Sequence, residues 1–520
     1  MTLFVLHVGQ WRVIRALSSD EPRRANLPRE LSAPSLEPPM AISDVASPLS
    51  APADQPGRRI GVPGIVFFVV SASAPLTVAA GGLPTSFAVS RTLGIPALYV
   101  VLGVLLIVFT GGYAAMSRSI ANAGAFYAYV THGLGRVAGV GTAFVALLSY
   151  NTMQVGLYGI FGFTTADLLK SRLGWDLPWW AVALAGVAVV AVLGFRRIDL
   201  NARVLGVLLA VEFLTVLVFD IAQFGGAPDG VSAGPLGWDA VRTGATGAAM
   251  VAAMASFMGF EAAAIYAEEC RDPRRTVARA TYIAVAVIAG FYAFTAWAMT
   301  IGAGPSQIIE RSGKEGPGMV WGLATQHVNR AFSDTAQFFL VTSLFAALLS
   351  FHNAVARYFY SLGRDGVLPG PLARTHARHR SPHIGSATQT VLAVVVVVAF
   401  AASGKDPVLT LFNWLTNLGA LGVMLLLALT SAAVVAYFLR DARNENLWNR
   451  LVAPALAGLG LAALFVVCLR NFDALLGADK DSPLVWVLPG MIFVSGLVGV
   501  VFALVLRATR PEVYERIGRG

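Results

Sequence analysis

The sequence predicts an all-α polytopic membrane protein, and three observations carry that prediction. Only 13% of its 520 residues are charged, against 56% hydrophobic and a mean hydropathy of +0.67. A soluble domain carries roughly 25% charge. From Val62 onward, twelve apolar stretches follow one another, each about 20 residues, the length that crosses a ~30 Å hydrocarbon core. The 38 Lys and Arg gather in short clusters between these stretches, which suits the loops of a polytopic chain and argues against a nucleic-acid partner despite a net charge of +9. Helices follow because lipid offers the backbone no hydrogen bonds of its own.

Taken in order, residues 1–60 read as a disordered cytoplasmic tail. Positions 20–56 are rich in Pro, Ser, Ala and Arg and poor in aromatics. Met40 offers a shorter start, and the apolar patch at 2–8 is too short for a signal peptide. The twelve spans are predicted at 63–87, 96–116, 136–163, 179–195, 203–224, 244–267, 279–302, 334–360, 387–403, 408–438, 451–470 and 485–507. The tenth is long enough to tilt or to extend into the cytoplasm. A tail at 508–520 follows the last. With the N-terminus inside, 28 of the 38 Lys and Arg fall on cytoplasmic segments and 10 outside. That bias puts both termini in the cytoplasm. The cysteines, Cys270 and Cys468, stand far apart and read as free thiols.

Several separated blocks carry a family resemblance. They are NAGAFYAY at 122–129, NARV at 201–204, FMGFE at 257–261 with EECRDPRR at 268–275, and RYFYSLGRDGVLP at 357–369. In this order and at these spans the chain resembles the amino acid–polyamine–organocation (APC) superfamily, close to the bacterial amino acid permeases, over about 59–440. The resemblance implies a 5+5 inverted-repeat (LeuT-like) core at 61–440, with repeats at about 61–225 and 243–440. Two extra helices at 441–507 complete the twelve.

The sequence supports that architecture by itself. The first helices of two such halves are both interrupted near the midplane, where freed backbone groups line the substrate site. The first span carries SASAPLT at 71–77 and then Gly81 and Gly82; the sixth carries SFMG at 256–259. Pro75 lacks an N–H and clashes with the preceding turn, so a break there has a physical cause. Ser71, Ala72, Ser73 and Ala74 are therefore substrate-binding candidates, as are Phe257, Met258, Gly259 and Phe260. Phe257 is also a candidate aromatic gate. Tyr150 joins them because the third helix borders the site in this family. Most relatives place a Gly-Ser-Gly or Gly-Thr-Gly triplet in the first break; this chain has Ala72, Ser73 and Ala74.

An ionisable residue inside a span is expensive, which makes each one a functional candidate. Glu212 lies ~12 Å along a helix that starts near Val204, and positions 208–216 hold no Lys or Arg. Proton-coupled relatives carry a lysine there, which implies a coupling site; a packing role is the alternative. Glu261, just past the second break, is the other proton-coupling candidate, with a structural carboxyl as its alternative. Glu268 and Glu269 read as a solvated network with Arg271, Arg274 and Arg275. His352 and Asp220 read as interfacial, and Asn413 and Asn417 as helix-packing groups.

The function expected is secondary active import of an amino acid or related amine, coupled to protons and working by alternating access. An exchanger, or a non-transporting sensor of the same fold, remains open. No G-x-x-x-x-G-K-[ST] loop is present. Of seven histidines only His352 falls within a span, so no metal or other cofactor is expected and an enzyme is not. Substrate, proton and bilayer are the expected partners. The oligomeric state is not legible.

Overall fold

The computed structural model describes residues 61–120, 125–196, 202–261, 272–377, 379, 381–477 and 480–518, without the side chains of 68, 71, 72, 125, 202–206, 273 and 274. The predicted tail at 1–60, the Glu268–Glu269 network with Arg271, and Cys270 lie outside these residues. So do parts of the 122–129 and 201–204 blocks.

Every regular element among the described residues is helical. The first predicted span is two pieces, α1 (Val62–Ala72) and α2 (75–90), and a π-helical turn at Val78–Gly82 lies within α2. There follow α3 (Ile95–Ser119), α4 (Ala125–Leu134), α5 (Arg136–Leu173), α6 (Trp179–Arg196), α7 (Ala202–Gln223) and α8 (Thr246–Phe257). The second half holds α9 (Pro273–Ala303), α10 (Arg330–Arg364), α11 (His383–Ala402), α12 (Asn413–Arg440), α13 (Ala453–Arg470) and α14 (Leu484–Thr509). Ten helices among the described residues are long and apolar enough to cross a membrane. The predicted spans missing from those ten are the first, which is split, and the sixth, whose described helix ends at Phe257.

Local chemistry sets the ends. Asn329 accepts the Phe332 amide at 2.8 Å and starts α10. Asp406 accepts the amides of Val408 and Leu409 at 2.9 and 2.7 Å and starts the π-helical turn Pro407–Phe412 that leads into α12. Gly174, at φ 72°, stops α5. That helix runs ten residues past the predicted limit of 163, because hydropathy falls off at Thr164 while no helix breaker occurs before Gly174.

α5 is the axis of the protein. Of its most apolar stretch 83% is buried, against 22% for α14. Val494, Leu497, Val501 and Leu504 of α14 are exposed, as are Leu214, Leu217 and Ile221 of α7. Exposed apolar faces of this extent are what lipid covers. α12 runs antiparallel to α5 along a seam of small residues: Gly156 meets Thr416, Gly159 meets Leu411, and Gly419 and Gly422 meet Ser149. A Cβ on Gly159 would come within 2.6 Å of the Pro407 carbonyl, so the seam fixes how closely the two helices approach.

The C-terminal segment is packed. Ile517 is buried among Tyr127, Val140, Leu362 and Ala503. Asp365 accepts the Tyr127 hydroxyl at 2.8 Å and the Gly518 amide at 3.4 Å.

Candidate functional site

The chain turns between α1 and α2. The Ser73 amide and hydroxyl both donate to the Val70 carbonyl, at 3.2 and 2.7 Å. Ala74 is left-handed, φ 45° and ψ 74°. Pro75 takes the first position of α2, where an N–H would have no helical acceptor. The Tyr292 hydroxyl of α9 donates to the freed Ser73 carbonyl at 3.0 Å and lies 3.0 Å from Ser73 Oγ.

α8 breaks at the corresponding place. Met258 is extended (φ −57°, ψ 133°) and Gly259 has φ 104°, a conformation open to glycine. The Gly259 amide donates to Glu261 Oε2 at 3.1 Å, and the Tyr150 hydroxyl donates to Oε1. Tyr113 donates to the Glu261 carbonyl at 3.0 Å. Glu261, 1% exposed, thus ties the broken end of α8 to α3 and α5.

A cavity of about 600 Å³, its open mouth included, lies between the breaks. Ser73, Ala74 and Thr77 line it from the first break, and Ser256 and Met258 from the second. Met153 and Leu157 of α5, Phe351 of α10 and Asn413, Thr416 and Asn417 of α12 complete most of the wall. No charged side chain lines it among the described residues. Two tyrosines stand behind it. Tyr99 shares a 2.7 Å hydrogen bond with Ser256, and its ring meets that of Tyr292 edge-on at 5.7 Å.

Of the expected binding residues, Ser73, Ala74 and Met258 are therefore in the wall. Gly259 makes the turn behind it. Phe257 packs on Tyr99 (6.2 Å between ring centres), Phe260 edge-on to Phe109 (6.1 Å) and Tyr150 against Tyr358 (5.5 Å), all outside the lining. Ser71 and Ala72 have no described side chains.

Glu212 is buried behind the wall. Its Oε2 accepts the Ser343 hydroxyl of α10 at 2.7 Å, and the carboxyl lies near the Leu76 amide at the start of α2. Ser343 Oγ is 3.4 Å from Thr77 Oγ1. Two hydroxyls therefore connect this carboxyl to the cavity. Sequence reading missed Thr77 and Ser343, since hydroxyls are ordinary in apolar helices. It assigned Asn413 and Asn417 to packing, although their i, i+4 spacing puts them on one helix face.

The sequence profile described as amino acid permease matches residues 60–514. The chain belongs to that family. It is 24% identical over 405 residues to the low-affinity putrescine importer PlaP of Escherichia coli (strain K12), covering 75% of this chain and 83% of PlaP. It is 23% identical over 454 residues to the branched-chain amino acid permease BcaP of Bacillus subtilis (strain 168), covering 82% and 88%. BcaP of Lactococcus lactis shows 23% identity over 381 residues, 68% and 77% of the two chains. The protein is an integral membrane transporter.

Two further groups of the permease differ from expectation. Asp220 is fully buried and accepts the Thr295 hydroxyl of α9 at 2.7 Å. His352 is 1% exposed, 3.3 Å from Gln154 Nε2 and 2.7 Å from Ser386 Oγ. Both sit near predicted span ends, where distance along the helix suggested water. The face each occupies turns it instead toward a neighbouring helix.

Proposed function

We propose that this permease imports an amino acid or a related amine across the cell membrane, driven by protons, through alternating access. The observation that carries the reading is Glu212, a buried carboxyl joined to the cavity through Ser343 and Thr77. As a carboxylate it accepts from the Ser343 hydroxyl and attracts the nearby Leu76 amide, favouring the placement of α2 against α7 and α10. Once protonated it gains a donor and loses acceptor strength, so that clamp changes. Loading a proton is in this way linked to the position of α2, which forms one wall of the site. Because the Ser73 amide and hydroxyl both donate to Val70 and Pro75 has no N–H, the donors left for a substrate carboxylate are the Ala74 and Thr77 amides of this turn. Extended backbone at Met258 offers carbonyl acceptors to an amine.

The domain reading stands with this proposal: a ten-helix core at 61–440 as two inverted halves, helices at 441–507 beyond it, and both termini cytoplasmic. The two breaks facing one cavity support the inverted halves. The relatives' names, a putrescine importer and branched-chain amino acid permeases, support an amino acid or amine as the solute.

The test is Glu212→Gln in proteoliposomes. Gln keeps the size and hydrogen-bonding capacity of a protonated carboxyl and cannot release a proton. Counterflow of internal against external substrate should persist, while accumulation driven by a pH gradient is lost. Glu212→Asp should accumulate partially, with a shifted pH optimum. Wild-type accumulation by Glu212→Gln would remove Glu212 as the proton carrier.

A further inference from the structure

Among the described residues the cavity wall contains eight polar side chains, and for six of them the hydrogen bonds close within the protein. Ser86 Oγ and Asn417 Oδ1 are the exceptions, buried without a partner among the described residues. Ser86 lies on α2, nine residues beyond Thr77. Gly81 of α2 stands against Phe412. From that level, four residues inward along α2 reach Thr77 and five inward along antiparallel α12 reach Asn417, about 6 and 7.5 Å at 1.5 Å per residue. Asn417 is therefore level with the first turn of α2, across the cavity from the broken helix.

The orientation of its amide is determined. Asn413 Nδ2 donates to the Leu475 carbonyl at 2.7 Å, which turns Asn413 Oδ1 toward Asn417. Asn417 Nδ2 then donates to Asn413 Oδ1 at 2.8 Å and to the Asn413 carbonyl at 2.6 Å. Flipping Asn417 would set its oxygen against two acceptors, so nitrogen must occupy that side and oxygen is left over. A buried carbonyl oxygen held without a donor is costly unless something supplies one.

We infer that Asn417 is a specificity residue, and that its free oxygen accepts a hydrogen bond from a neutral donor, a hydroxyl or carboxamide, on the side chain of the transported amino acid. This rests on the transport reading above and narrows it. Among the described residues the wall carries no carboxylate to receive a second ammonium, which counts against a diamine although one relative is named for putrescine. A branched hydrocarbon of the same shape would fill the space and leave the oxygen unpaired. Sites built around a substrate hydrogen bond reject the analogue that lacks it far more strongly than apolar pockets reject a missing methylene.

Uptake of threonine against valine, and of glutamine against methionine, by the full chain in proteoliposomes tests this. Wild type should favour the donor-bearing member of at least one pair by about tenfold or more in kcat/KM. Asn417→Leu should bring that ratio close to one while hydrocarbon uptake persists. Asn417→Asp, which keeps size and acceptor, should retain the preference and admit putrescine. That variant decides the matter if the Leu protein does not fold. Wild type that accumulates valine and methionine as well as their partners overturns this inference alone, as does an unchanged ratio in Asn417→Leu or Asn417→Asp that loses the preference. Wild type that accumulates no amino acid overturns the transport reading and this one with it.

Discussion

Ala74 occupies a backbone conformation that L-residues avoid, at a cost of about 1–2 kcal/mol. Gly in the corresponding triplet of relatives would take it freely. A β-branched side chain at φ 45° is a genuine outlier. Ala74→Val should therefore lower the unfolding free energy by about 2 kcal/mol or more, read as a fall in thermal midpoint of the purified protein, whereas in Ala74→Gly the relieved strain is offset by the freer unfolded chain and the midpoint should hold or rise slightly. Glu261 separates from Glu212 by the same measurement. Its carboxyl accepts from Gly259 and Tyr150, so Glu261→Ala should cost about 2 kcal/mol by leaving those donors unpaired. Glu212→Gln, which keeps a partner for Ser343, should not. At this scale the sequence was readable where a residue breaks a rule: Pro75 in an apolar run, Glu212 in a span. Asn417 breaks none. Its role depends on Leu475, far away in sequence, turning the Asn413 amide, and on which helix face meets the cavity.

Helix ends were legible to a few residues wherever a cap or breaker marked them, as at Asn329 and Pro407. α5 was cut short because lipid-like composition ends before the helix does. α4 and the short helices Ile308–Glu315 and Gly318–His327 escaped notice because none is long enough to register as a span. Interfaces between elements were less visible still, since Gly156, Gly159, Gly419 and Gly422 look alike in sequence whether they face lipid or a helix. Their placement makes a sharp expectation. Gly156→Leu drives a side chain into Thr416, whose backbone nitrogen is 3.0 Å from where a Cβ on residue 156 would lie. α5 and α12 must then separate, which should shift the thermal midpoint downward and abolish uptake. Gly490, whose Cβ would meet nothing within 4 Å, should accept Leu with neither effect.

For the whole molecule, the arginine bias predicts the orientation and labelling reads it. Thr375 is exposed in the loop between α10 and α11, and Lys314 is exposed between α9 and α10. A cysteine replacing Thr375 should react with an impermeant maleimide only from the cytoplasmic side, and one replacing Lys314 only from outside; the reverse pattern would invert the topology. The uncharged cavity wall then has an electrical consequence. With the coupling proposed above, an amino acid zwitterion adds no net charge, so a carrier loaded with substrate and a proton on Glu212 would cross as a neutral body, and the empty carrier would return with one negative charge. An inside-negative voltage acts on that return step. The work available is about 2.3 kcal/mol per elementary charge at 100 mV, equivalent to a roughly 50-fold concentration ratio. Liposomes clamped inside-negative by a potassium diffusion potential should thus accumulate substrate even with pH equal on both sides. Solid-supported membrane recordings should show inward current on substrate addition, and no steady current in Glu212→Gln.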